Sequence, residues 1–219
     1  MAATASATSD LKKALAPLFK PPLDPVLVDV PELGYLMIDG RGAPGEPPDQ
    51  EPTELQRSFA AVFPVVYTIK FRLKRDGLPM PILPLEALWF TDGAGFDVNA
   101  PKEEWNRRVL MAVSHDVTPQ IFDEAVAEVR RKKGDSEALG KLRFERWCEG
   151  RCAQVMHIGP YAAEGPTIER LHAFIADQGL RMRGDHHEIY VGDPRRADPA
   201  KLKTVVRHPG ELPGWVSAT

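Results

Sequence analysis

The amino-acid sequence predicts an α+β fold made of two tandem strand–helix–strand–strand modules. Three observations lead there. A strand-like run ending in Met37-Ile38-Asp39-Gly40 precedes one long helical pattern, and a run ending in Met156-His157-Ile158-Gly159 precedes another. A glutamate, Glu86 in one half and Glu188 in the other, then opens the strand after each helix. Both helical patterns are apolar along one side only, as helices lying on a sheet are. Repeated units of this kind pack with pseudo-two-fold symmetry. The expected architecture is an antiparallel sheet with helices on one face and a curved, open ligand cleft on the other.

The elements follow in order. Residues 1–22 read as a tail and a short helix: 1–10 are small and polar, and 11–19 are helical until Pro21-Pro22 ends the run. The domain proper spans 23–219, with module one at about 26–133 and module two at about 141–208. Residues 26–30 and 35–40 are short β-like runs around 31–34. A Pro- and Gly-rich acidic loop covers 41–52. The helix of 53–74 places Leu55, Phe59, Val62, Phe63 and Val66 on one stripe, with a kink expected at Pro64. Residues 85–90 and 107–114 read as strands. Thr118 caps a helix that runs to Lys133, with Pro119 just inside it. Residues 134–140 read as a loop, and 142–148 with 151–159 as a hairpin about Glu149-Gly150. A helix over 167–178 carries Ile168, Leu171, Phe174 and Ile175, and strands at 188–192 and 202–207 complete the second module.

Composition removes several function classes. The chain has 219 residues, 43% hydrophobic and 27% charged, a globular balance. Its 28 Lys+Arg against 31 Asp+Glu give a net charge of −3, without the basic excess of a nucleic-acid binder. No apolar run has the length of a membrane span, and no signal peptide is evident, so a cytoplasmic protein is expected. Cys148 and Cys152 would be diagonal neighbours across the hairpin and read as reduced thiols. Six histidines fall in no metal-ligand spacing, and there is no phosphate-binding glycine loop or nucleophile elbow; no metal or cofactor is expected.

The informative segment is His186-His187-Glu188-Ile189-Tyr190-Val191-Gly192. Strand alternation groups Glu188 and Tyr190 with His186, and Ile189 and Val191 with His187 on the face suited to packing against helices. A lone strand glutamate also reads as a solvated residue; the matching Glu86 in Pro84-Leu85-Glu86-Ala87-Leu88-Trp89-Phe90 weighs against that. Alternation there sets Glu86 with Leu88 and Phe90, and Trp89 opposite, leaving open whether Trp89 or Phe90 lines a pocket. Phe63 and Tyr67, four apart, share a helix face, although Phe63 reads more simply as core. Trp105 and Trp147 are packing residues or ligand platforms, and Met37 and His157, near the ends of the strands before the helices, complete the candidate set.

Together the runs Met37-Ile38-Asp39-Gly40-Arg41-Gly42, Met156-His157-Ile158-Gly159, Pro84-Leu85-Glu86-Ala87-Leu88-Trp89 and Glu188-Ile189-Tyr190, with Asp193-Pro194-Arg195, resemble the stand-alone GyrI-like small-molecule-binding proteins. The resemblance extends from about Val26 to Arg207. It implies a tandem-module drug-binding domain in which aromatic residues stack on planar lipophilic cations and a buried glutamate, at Glu188 by position, offsets the charge. Some stand-alone members hydrolyse the cyclopropane of cyclopropanoid DNA alkylators of the yatakemycin type. On that reading Glu188 acts as general base on a water, its pKa raised by lost hydration, and Tyr190 or Tyr67 hydrogen-bonds the developing phenolate. The partners implied are planar aromatic or cationic drug-like molecules, for a monomer or weak dimer. An interaction module of the gyrase-inhibitor kind and a drug sink without turnover are the alternatives.

Overall fold

The computed structural model describes residues 13–44, 52–93, 95–97, 99–192 and 196–212. The expected polar tail of 1–10, the Asp193-Pro194-Arg195 run and most of the loop before the first long helix lie outside the described residues. A helix at residues 13–19 (α1) is followed by β1 (Val26–Arg41), α2 (Glu54–Arg75), β2 (Leu85–Phe90), β3 (Asn106–Val113), α3 (Pro119–Lys133), α4 (Glu137–Lys141) and β4 (Arg143–Ile158). Then come α5 (Gly165–Asp177), β5 (Arg181–Met182), β6 (His186–Tyr190) and β7 (Lys203–Glu211).

The long helices start and stop where local chemistry dictates. Thr53 accepts the amide of Gln56 while the Gln56 side chain accepts the amide of Thr53, a reciprocal cap on α2. The helix continues through Pro64, since its apolar stripe of Val62, Val65, Val66, Ile69 and Leu73 is buried along its length. Thr118 caps α3 through the Ile121 amide, and Gly134, at φ 86°, takes the chain out of it. Residues 137–141, expected as loop, form the short helix α4, capped by Ser136.

The strands differ from expectation where turn-forming residues occur. β1 runs unbroken through Pro31, and β4 runs unbroken through Glu149-Gly150 instead of forming a hairpin. The two pair with each other from Val26↔Gln154 to Met37↔Arg143, and that ladder outweighs local turn preference. Pro31 has no N–H to give, and the ladder steps from Val30↔Gly150 to Glu32↔Cys148 across it. Gly150, at φ 73°, bends the strand without reversing it. Cys148 and Cys152 therefore sit on one strand, the first exposed and the second buried, both free thiols.

The sheet is antiparallel, with neighbours in the order β4-β1-β3-β2-β6-β7, and β4–β7 pairing closes the ring; β5 adds to the far end of β7. The neighbour list of the six ring strands, β5 aside, is unchanged when β1 is exchanged with β4, β2 with β6 and β3 with β7.

One rung fixes the faces: Val109–Ala87–Glu188–Val206 runs across β3, β2, β6 and β7. Val109 packs in the cluster that holds Val62, Val66 and Ile69 of α2, and Val206 in the cluster that holds Leu171 and Ile175 of α5. Both long helices thus lie on the same face, the outer one, and Glu188 is on that face between them. The expectation of an open cleft on the opposite face is corrected. That face is turned inward and filled by Tyr35, Met37, Leu88, Leu110, Ile189 and Val205, with Leu15, Leu18 and Phe19 of α1 packed against them. Ile189 and Val191 accordingly face this inner cluster, not the helices. Closing a sheet removes its edges and turns one face inward, so the two long helices take the outer face while the short α1 packs on the inner one. Among the described residues no helix is long and apolar enough to cross a membrane.

Candidate functional site

The outer strip of sheet between α2 and α5 carries Glu188. Its side chain is 17% exposed. Tyr190, two residues on and so on the same face, donates its hydroxyl to Glu188 Oε2 at 2.8 Å. His186, two residues back, has Nε2 3.2 Å from Oε1. Trp89, facing His186 across the β2–β6 ladder, donates its indole N–H to the Tyr190 oxygen at 3.4 Å. Burial alone pushes the Glu188 pKa up, but the bond and the charge of His186, then the bonds from Tyr190 and Trp89, reverse this and hold it below the ordinary carboxylate value. The rise expected from lost hydration is therefore outweighed, and Glu188 is an ionised carboxylate. The Tyr190 hydroxyl goes the other way: burial and the Glu188 charge keep it protonated well beyond its usual range.

A second carboxyl stands beside the first. Glu164 is the residue before α5, and it is only 3% exposed. Its side chain does not cap its own helix; it turns to the sheet, against Glu188 and Thr204. Burial, then the charge of Glu188, raises its pKa to about 8. At neutral pH the pair is one carboxylic acid and one carboxylate, because like charges in contact do not both ionise in a poorly solvated site.

Aromatic rings surround this pair. Trp105, just before β3, lies edge-on to Trp89 at 6.0 Å and to Phe96 at 4.6 Å. Phe96 stacks on His186 at 5.6 Å, and Tyr161, in the turn before α5, is edge-on to Tyr190 at 5.6 Å. An anion among ring faces is a setting for aromatic cations, which gain from both. Among the described residues no group of His, Cys, Asp and Glu has a metal-holding arrangement.

The inner face holds a separate polar cluster. His187 Nε2 is 3.0 Å from Glu86 Oε2, and its Nδ1 is 2.9 Å from Glu149 Oε1. Arg207 donates to Glu149 Oε2 at 3.1 Å and to Gln154. All of these side chains are buried. Burial would drive His187 neutral, but the two carboxylates raise its pKa to about 9; His187 and Arg207 bring Glu149 down to about 2 against its own burial.

Of the residues singled out in the sequence, Glu188, Tyr190, Trp89 and Trp105 come together. Trp89, not Phe90, shares the Glu188 face; Phe90 is half-buried at the end of β2. Glu86 is on the inner face with His187, as are Met37 and Trp147, whose ring is 5.7 Å from Tyr35 and 6.3 Å from His187. Phe63 packs against the α2 core, and Tyr67 is on the outer side of α2, 43% exposed and stacked on Phe71 at 6.3 Å. His157, on β4, has Nδ1 3.0 Å from the Thr167 hydroxyl of α5. Glu164, Phe96 and Tyr161 were not legible as site residues. The one available signal was the glutamate of Glu164-Gly165-Pro166, acidic at a helix start, which reads more simply as a cap.

A closed antiparallel sheet with two helices flanking a carboxylate in an aromatic surround defines a small-molecule-binding domain. The profile of the GyrI-like small molecule binding domain matches residues 97–209. An uncharacterised conserved protein from Listeria innocua superposes with a TM-score of 0.81 at 32% identity, covering 91% of this chain and 98% of its own. A Listeria innocua hydrolase superposes at 0.78 with 33% identity over the same shares, and another at 0.77 with 30%. The C-terminal domain of EcmrR shares the fold at a TM-score of 0.54 and 14% identity, covering 86% of this chain and 98% of that domain. No curated protein matches. The chain belongs to the GyrI-like small-molecule-binding family.

Proposed function

We propose that this chain binds lipophilic aromatic molecules, planar cations among them, on the strip between α2 and α5, and that it hydrolyses cyclopropanoid DNA-alkylating drugs by adding water. In this reading it is a cytoplasmic self-protection protein of two tandem modules; the exchange-invariant neighbour list supports the module pair. The observation that carries the function is the ionised Glu188 among Trp89, Tyr190, Trp105 and the Phe96–His186 stack. The hydrolase description of two Listeria innocua relatives supports turnover. In that step the water oxygen bonds to the ring methylene and the ring C–C bond breaks. Its electron pair aromatises the dienone to a phenolate, and Glu188 takes the water's proton. Tyr190, a donor held protonated, bonds Glu188 and orients it. One feature favours a second reading, binding without turnover: a carboxylate with a lowered pKa is a better counter-charge than base.

The test has two parts. Polarisation titration with a rhodamine-type dye should give micromolar binding, roughly 8 kcal/mol. Incubation with a cyclopropanoid drug should give a water adduct by mass. Dye binding without the adduct leaves the sink; neither result leaves an interaction module in front.

A further inference from the structure

Glu164 is not used by the hydrolysis just described, because the electrons of the opening ring travel to a remote carbonyl and no acid is needed at the attacked carbon. Its burial still needs a reason. Glu188 already has Oε1 bonded by His186 and Oε2 by Tyr190. Glu164 Oε1 is buried with no hydrogen-bond partner, and the neighbouring Thr204 hydroxyl, on the rung opposite Tyr190, is buried and also without a bond of good geometry. Among the described residues no Lys or Arg is paired with either carboxyl. A second carboxyl that neither caps its own helix nor has a cation is a costly thing to bury, unless something brings the cation.

We propose that Glu164 and Glu188 form a proton-exchanging subsite for aromatic dications, holding one proton between them when no cation is bound and releasing it when a ligand brings a second positive charge. The inference rests on the reading of this strip as the ligand site and adds the class of ligand that the acid pair selects. Glu188 meets the first positive charge as a carboxylate. Glu164 meets the second by giving its proton to solvent, so one proton leaves for each dication bound. A monocation gains little from Glu164, whose proton it need not displace. His186, 3.2 Å from Glu188 Oε1, lowers the Glu188 pKa by its bond and its charge, and no cationic group among the described residues does the same for Glu164. Tyr190 on β6 donates to Glu188, Thr204 on β7 is neutral, and His157 on β4 is bonded to the Thr167 hydroxyl. Burial lowers the pKa of His172 on α5, keeping it neutral. The raised pKa of Glu164, about 8, puts the shared proton on it at neutral pH.

Calorimetric titration of the full chain decides it. A rigid aromatic bis-amidine and the matching mono-amidine are titrated at pH 7 in two buffers of different protonation enthalpy. The bis-amidine should release close to one proton per ligand, the mono-amidine far less, and bis-amidine affinity should rise by up to about tenfold per pH unit until Glu164 has ionised, the limit for one-proton linkage. Glu164→Gln should abolish the release and bring the bis-amidine down to mono-amidine affinity. Bis-amidine binding without proton release, or equal release from Glu164→Gln, overturns the proposal. If the variant does not fold, the proton count on the unaltered chain is decisive alone. Binding of neither amidine would overturn the cation-site reading and this with it; a bound mono-amidine with no extra proton from the bis-amidine defeats only this one.

Discussion

At the level of single residues, alternation along β6 gave the Glu188–Tyr190–His186 grouping correctly, because a period of two is a property of any extended strand. It did not reveal which face was outside. That depends on ring closure between β4 and β7, a contact between distant residues with no local signature. Glu164 was hidden for a similar reason: only the fold brings the start of α5 over Glu188. Glu188→Gln separates the roles assigned above. It keeps the side chain's shape but removes the proton acceptor, so cyclopropanoid turnover should fall by on the order of a hundredfold or more. Cationic dyes should weaken by roughly 0.5–2 kcal/mol, and neutral drugs should be spared. Rates and affinities unchanged for all three ligand types would remove Glu188 from the site.

Among the elements, the helices were the most readable. α2 and α3 start at Thr53 and Thr118 as the cap chemistry requires; of the expected α2 stripe Val62 and Val66 are buried, while Leu55, Phe59 and Phe63 pack at its margin and Val65, Ile69 and Leu73 complete the buried side. The long strands were the least readable, since Pro31 and Glu149-Gly150 carry turn signals that the β1–β4 ladder overrides. The glycine signal at Gly150 was real, but it marks a bend. With φ at 73° the strand turns and the buried Glu149 reaches Arg207 and His187 on the inner side. Arg183 donates to the Glu149 carbonyl and would be 3.1 Å from an added Cβ at Gly150. Gly150→Ala should therefore destabilise the chain by about 1–2 kcal/mol, the cost of a left-handed conformation for an L side chain. Urea unfolding should show a lower midpoint at unchanged slope. A variant as stable as the parent would mean that β4 does not depend on this bend.

On the scale of the whole molecule, four buried groups set the pH range of stability. His187, raised from 6.5 to about 9, stabilises fully below pH 6.5, and its contribution is lost as pH rises through about 9. Glu164, raised from 4.5 to about 8, acts in the same direction: its protonated form is favoured in the fold, and stability falls as pH rises from 4.5 toward 8. On the acid side, Glu149 is lowered from 4.5 to about 2, so its contribution is lost as pH falls through about 2. His208, lowered from 6.5 to about 4 by burial and then by His172, is neutral in the fold, and stability drops as pH falls from 6.5 toward 4. Between 4.5 and 6.5 the Glu164 and His208 slopes oppose each other; above 6.5 Glu164 and His187 add. The four together require a plateau at mildly acidic pH, with a decline toward pH 9 that is steepest between 6.5 and 8. Melting temperature followed from pH 4 to 9 should trace that shape. Glu164→Gln should flatten the 6.5–8 limb by removing one of its two protons, leaving the His187 part in place. A melting temperature that climbs from pH 6 to 9 would show that neither buried group holds its proton in the folded chain.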